Sequence, residues 1–146
     1  MKELTADPYT INDDGTVDVD GDVVIQKRMT TIPVQFGTVS GSFIGDNTLI
    51  ASLKGAPTEV SGSFYCHETP LTSLQYAPRE VGGDFHCHDT KITSLKGAPR
   101  YVWGSFCCSH TKITSLNGIG YVGGEIHTRI ILRHGFGHVG GNILES

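Results

Sequence analysis

Residues 92–118 read "ITSLKGAPRYVWGSFCCSHTKITSLNG", and the four letters that open the stretch at Ile92 return at Ile113. Working outward, the same frame recurs at Ile50 and Leu71, a spacing of 21 residues each time, with "SL" completed by Leu53, Leu74, Leu95 and Leu116. The segments "KGAPTEV", "QYAPREV" and "KGAPRYV" keep that register. A second signature, two apolar residues flanking a central Gly at four-residue separation, reaches further. It pairs Val19 with Val23, Val39 with Phe43, Val60 with Phe64, Val81 with Phe85, Val102 with Phe106, Val122 with Ile126 and Val139 with Ile143, seven copies in all. Repetition at a fixed short period marks a chain that stacks like units on one another, because one unit cannot bury its own apolar face.

A period near 21 falls within the 20 to 29 residues of leucine-rich repeats, whose apolar positions Phe64, Cys66, Thr69 and Leu71 follow. Side chains alternate along a strand, so Val60, Gly62, Phe64 and Cys66 are expected inward and Ser61, Ser63, Tyr65 and His67 outward. Cys66, Cys87 and Cys108 then stack as an interior ladder. The turns after "SL" carry Gly55, Pro57, Gly97 and Pro99, which leaves too few residues for a helix on the return. The fold class read from these features is mainly β: a right-handed parallel β-solenoid of about seven short leucine-rich-repeat-like coils with little helix. Residues 1–15 read as an N-terminal segment or cap and residues 16–146 as one repeat domain.

Ordering a residue costs about 1–2 kcal/mol of backbone entropy, whereas burying a Phe or Leu gains about 1.5–3 kcal/mol, so only stacking stabilises such coils. Seven coils at strand spacing form a rod roughly 30 Å long. Acidic "NDDGTVDVDGD" is expected to discourage further stacking at the N-terminal end. At the other end the last two signature copies are only 17 residues apart and "HVGGNILES" reads as an open strand. Pairing of two such C-terminal edge strands predicts a homodimer.

Composition narrows the function classes. A chain of 146 residues fits a single domain. A net charge of −4 and a pI of about 5.9 argue against nucleic-acid partners, which need clustered Lys and Arg. "MKELTADPYTINDDG" lacks the pattern of a signal peptide and no apolar run is long enough to span a bilayer, so a cytoplasmic location with no membrane partner is expected. The four Cys then read as free thiols.

The units resemble those of small leucine-rich-repeat-like proteins of tailed bacteriophages and bacteria, of the type "LTSLxGAPxxVGGxFxCSNNK", over residues 16–146. Secreted bacterial effectors with short leucine-rich repeats match more distantly. The resemblance implies the fold and carries no activity. Where the family has "CSNN", this chain has "CHET" at Cys66, "CHDT" at Cys87 and "CSHT" at Cys108, so Thr69, Thr90 and Thr111 replace an Asn ladder.

The outward column after the Phe position, Val24, Ile44, Tyr65, His86, Cys107, His127 and Leu144, contains no charge. His67 and His88 run beside it, with Arg129 beyond, and Trp103 stands where other coils have Ser or Gly. Aromatic residues and Arg collected on one strand face read as a binding surface. The partner-binding set is therefore Tyr65, His67, His86, His88, Trp103, Cys107, His127 and Arg129; the competing reading makes the column ordinary core under a return segment or dimer partner. His86, Cys107 and His127 in a ladder, with His88 next to them, offer zinc-type ligands, but ligands in a straight row do not converge to about 2.0–2.3 Å around one ion and no CxxC or HExxH spacing supports them, so no metal or other cofactor is expected. Cys107 lacks the helix N-terminus or cationic pocket that activates a thiolate, so no catalytic residue is assigned and the chain is read as no enzyme. The resulting expectation is a non-catalytic protein-binding module acting through its exposed strand face, and the resemblance to phage proteins implies a phage-encoded inhibitor that blocks a host antiviral-defence protein. The alternatives are a virion or assembly component and a small-ligand or nucleotide sponge.

Overall fold

The structure, a computed structural model, describes residues 4–6, 8–129 and 143–145, the first and last of these as backbone. Stacked parallel coils form a β-solenoid of about five turns, and no helix occurs among the described residues. Each coil contributes two short strands to two different sheets. One, here the Phe sheet, runs Leu4–Ala6, Val23–Ile25, Phe43–Ile44, Phe64–Tyr65, Phe85–His86, Phe106–Cys107, Ile126–Thr128 and Ile143–Glu145. The other, the Val sheet, runs Tyr9–Ile11, Val17–Val19, Phe36–Val39, Glu59–Val60, Glu80–Val81, Tyr101–Val102 and Tyr121–Val122. Most of the seventh signature copy, including Val139, lies outside the described residues.

The single strand expected from Val60 to Cys66 is thus divided. Val60 closes one strand, Ser61 and Gly62 form a bend, and Phe64 opens the next. The alternation survives the bend: Val60, Phe64 and Cys66 are buried, Ser61 is exposed, and Tyr65 and His67 are half-buried.

Repetition at 21 residues puts identical side chains on top of one another. Phe64 pairs with Phe85 and Phe85 with Phe106, and the rings stack with centroids 5.3 and 5.1 Å apart. Phe43 extends this column at 4.9 Å from Phe64. Ile50, Leu53, Leu71, Leu74, Ile92 and Leu95 fill the space opposite, all fully buried. Cys66, Cys87 and Cys108 are buried free thiols whose amides donate to the next coil at His86, Cys107 and His127, the ladder expected from their spacing. Each Phe or Leu so buried contributes about 1.5–3 kcal/mol.

The central Gly of the signature has a specific cause. At the corner between the sheets, the residue after it uses a short polar side chain to accept the amide of the next coil. Ser42 Oγ accepts from the Ser63 amide at 3.0 Å, Ser63 Oγ from Asp84 at 2.9 Å, Asp84 Oδ1 from Ser105 at 2.8 Å and Ser105 Oγ from Glu125 at 3.0 Å. These side chains reach across the next coil's glycine: a Cβ at Gly83 would strike Ser63 Oγ and lie 3.1 Å from the Gly62 carbonyl. A second corner places Asn47, Glu68, Asp89 and His110 at φ 54°, each followed by a Thr whose hydroxyl donates back to a carbonyl three residues earlier. Thr69, Thr90 and Thr111 therefore close this turn.

Both sheets carry an antiparallel strand over their first parallel strand: Leu4–Ala6 against Val23–Ile25, and Tyr9–Ile11 against Val17–Val19. The acidic segment knits the first coil to the second. Asp18 Oδ1 accepts from the Thr38 amide at 2.8 Å and Asp22 Oδ1 from the Ser42 amide at 2.7 Å. The first of these hydrogen bonds also holds the Asp18 carboxyl below its ordinary pKa. Ile143–Glu145 lies parallel to Ile126–Thr128 as the outer strand of the Phe sheet.

Two stability predictions follow from the corners. Gly83→Ala should lower unfolding free energy by about 2–3 kcal/mol in denaturant titration, because the obstacle includes backbone that cannot move aside. Tyr76 sits at φ 73° where the neighbouring coils have Gly55, Gly97 and Gly118. Tyr76→Gly should raise stability by about 0.5–1 kcal/mol, the relief of left-handed strain exceeding the entropy cost of glycine.

Candidate functional site

Strand pairing brings the predicted outward column together on the Phe sheet. Ile44, Tyr65, His86, Cys107, His127 and Leu144 are successive partners. Two residues along the chain from Tyr65 and His86, on the same face, stand His67 and His88. Tyr65 stacks on His86 with centroids 5.1 Å apart, and His67 on His88 at 4.3 Å with the ring planes within 12°. His86 meets His67 at 5.6 Å and His88 at 5.5 Å, tilted to both. Carboxylates approach from the flanks: Asp46 lies 3.6 Å from His67 Nε2, Asp84 3.9 Å from His86 Nε2 and Glu125 3.4 Å from His127 Nε2. The side chains of Tyr65, His67, His86, His88, Cys107 and His127 are all half-buried, neither core nor fully open surface.

Burial sets the protonation chemistry here. Desolvation pushes the His86 pKa down, with His67 and His127 adding repulsion and Asp84 opposing. Desolvation also lowers His88, reinforced by His67 and His86 against Asp89 and Glu68. Burial raises the Cys107 thiol above its ordinary value, and Cys108 is pushed up to about 12. A thiol held protonated beside imidazoles of lowered basicity is a poor nucleophile.

Trp103 is not part of this column. It opens the bend just after Val102, the last residue of its Val-sheet strand, so the face expected to hold all the site residues is two faces separated by the corner at Trp103 and Gly104. The indole is 53% exposed. It lies between Gly82 and Gly123, its register neighbours in the adjoining coils, so no side chain competes for its place. Tyr101 stacks parallel to it at 6.3 Å and Tyr121 packs at a tilt at 5.3 Å. Its Nε1–H donates to Glu80 Oε2 at 3.0 Å. Tyr101 and Tyr121 were missed by the strand-face reading although a signal existed: both immediately precede the signature Val, where other coils carry Glu59 and Glu80. Arg129 is exposed and lines a cleft with His110, Thr111 and Thr114, apart from either aromatic group.

The lowered imidazoles have a stability consequence. Protons are taken up by His86 and His88 more readily in the unfolded chain than in the folded one. Their contribution is therefore complete above the ordinary His value of about 6.5 and is lost as pH falls below it. The melting temperature should drop between pH 7.5 and 5.0, and His86→Gln with His88→Gln together should reduce that drop in thermal melts at the two pH values. Comparison of the chain with models of known protein families, with curated proteins and with solved structures gives no match.

Proposed function

We propose that this chain is a non-catalytic protein-binding module whose anchor is the Tyr101, Trp103 and Tyr121 cluster on the Val sheet. The observation that carries the reading is the half-exposed indole, framed by two tyrosines and seated on a hydrogen-bonded ladder. A bulky aromatic on a rigid sheet gains contact area on docking while losing little conformational freedom, and Trp, Tyr and Arg dominate the energetics of protein interfaces. Arg79 and Arg100, both exposed, immediately precede the strands that carry Glu80 and Tyr101. The complementary surface is an apolar pocket with an acidic rim.

The Tyr65 to His127 column on the Phe sheet is a second patch of this module. Resemblance to phage leucine-rich-repeat-like proteins extends the proposal. The partner is then a host defence protein, inhibited in the host cytoplasm by a phage-encoded right-handed solenoid completed by its seventh coil. A homodimer through the C-terminal edge strand belongs to the same picture.

Affinity capture from host lysate, followed by calorimetry with the purified partner, tests the anchor. Trp103→Ala should weaken binding by about 30-fold or more, the equivalent of about 2 kcal/mol, while Lys54→Ala, at an exposed residue outside both patches, leaves it within a few-fold. Equal binding by wild type and Trp103→Ala overturns the assignment.

A further inference from the structure

We propose that His67, His86 and His88 form a binding site for a divalent transition-metal ion of the zinc type. The expectation that outward ligands cannot converge rested on a straight row of residues 86, 107 and 127. The structure offers a triangle. His86 and His88 are two residues apart on one coil and so share its outer face, while His67 lies one coil earlier beneath His88. One ring nitrogen from each of the three lies within 4.8 Å of the other two.

A second observation is independent of that spacing. Nδ1 of His67, of His86 and of His88 is buried with no hydrogen-bond partner. A buried polar atom without a partner costs about 1–3 kcal/mol, and three in one place call for a common cause. The remaining nitrogens are differently placed: Asp46 and Asp84 approach Nε2 of His67 and His86. Metal-bound imidazoles usually present their second nitrogen to a carboxylate, which orients the ring and raises its basicity. The bare side of these rings is therefore the ligand side.

The donor set decides the ion. Three neutral imidazoles suit zinc, copper or nickel, whereas calcium and magnesium require oxygen ligands. Three protein ligands leave a fourth tetrahedral position for an exchangeable group. Bond lengths of about 2.0–2.1 Å set ligand nitrogens roughly 3.3 Å apart, so closure needs side-chain movements of about 1 Å and a tilt between the parallel rings of His67 and His88. The lowered basicity of His86 and His88 keeps both in the neutral form that binds metal.

The test uses full-length protein purified without a histidine tag, stripped with chelator and titrated with zinc chloride against a chromophoric indicator. The expected result is saturation at about one ion per chain and a loss of affinity of about 100-fold or more in His67→Gln and in His88→Gln. His127→Gln and Cys107→Ser should titrate as wild type, and circular dichroism checks that every variant is folded. Imidazole nitrogen NMR of the wild-type protein gives a readout that needs no variant: three Nδ1 resonances should shift on zinc addition. Absence of saturable binding, binding that survives in both triad variants, or shifts confined to other histidines overturns the site. Trp103→Ala should bind zinc normally, so failure here leaves the docking proposal standing, and the reverse holds as well.

Discussion

Everything in this molecule depends on coils stacking in register at the corner between the two sheets. There the backbone of one coil approaches that of the next so closely that only glycine fits, with Gly41, Gly62, Gly83 and Gly104 each donating to the glycine carbonyl of the coil before. The short side chain that follows, Asp22, Ser42, Ser63, Asp84 or Ser105, takes up the amide left over in the next coil. An apolar residue there would leave that amide unpaired. From the first coil to the fifth the corner pairs glycine with Asp or Ser, and only at Glu125 in the sixth described coil does a longer side chain follow it; this repetition fixes the height of the columns.

Once height is fixed, inner and outer positions obey different rules. Inside, shapes must match coil to coil, and Phe43, Phe64, Phe85 and Phe106 present the same ring four times, all fully buried. Outside, solvent accepts any shape, and the partners of the same strands read Ile44, Tyr65, His86, Cys107 and His127. Chemistry is therefore free to vary only on the outer columns. It is there that the imidazole triangle and the exposed indole occur, on opposite sides of the glycine corner.

Among the described residues, non-glycine residues in the left-handed region lie in the turns and bends. Glu68, Asp89 and His110 hold the left-handed conformation that Asn47 occupies at the start of the same column, and each is secured by the hydroxyl of the following Thr. Left-handed backbone disfavours most side chains, with Asn the least penalised after Gly. Glu68, Asp89 and His110 thus place residues less suitable than Asn47 at a difficult position while the Thr supplies the closing hydrogen bond.

The 21-residue period was enough, without coordinates, to make Cys66, Cys87 and Cys108 an interior ladder and Tyr65, His86, Cys107 and His127 an outer one, because in-register stacking turns sequence separation directly into spatial adjacency. Alternation along a strand also told inward from outward at Val60, Phe64 and Cys66, since that rule depends only on local backbone geometry. The direction of each outward face was a different matter. The bend at Ser61 and Gly62, repeated in the other described coils, holds Trp103 on the far side of a corner from His86, and no one-dimensional pattern records an angle. The period alone stacks His67 on His88, but the diagonal meeting of His67 with His86 depends on lateral distance between columns and on ring orientation. Those are set by how two sheets pack around a shared core, so only the folded molecule decided them.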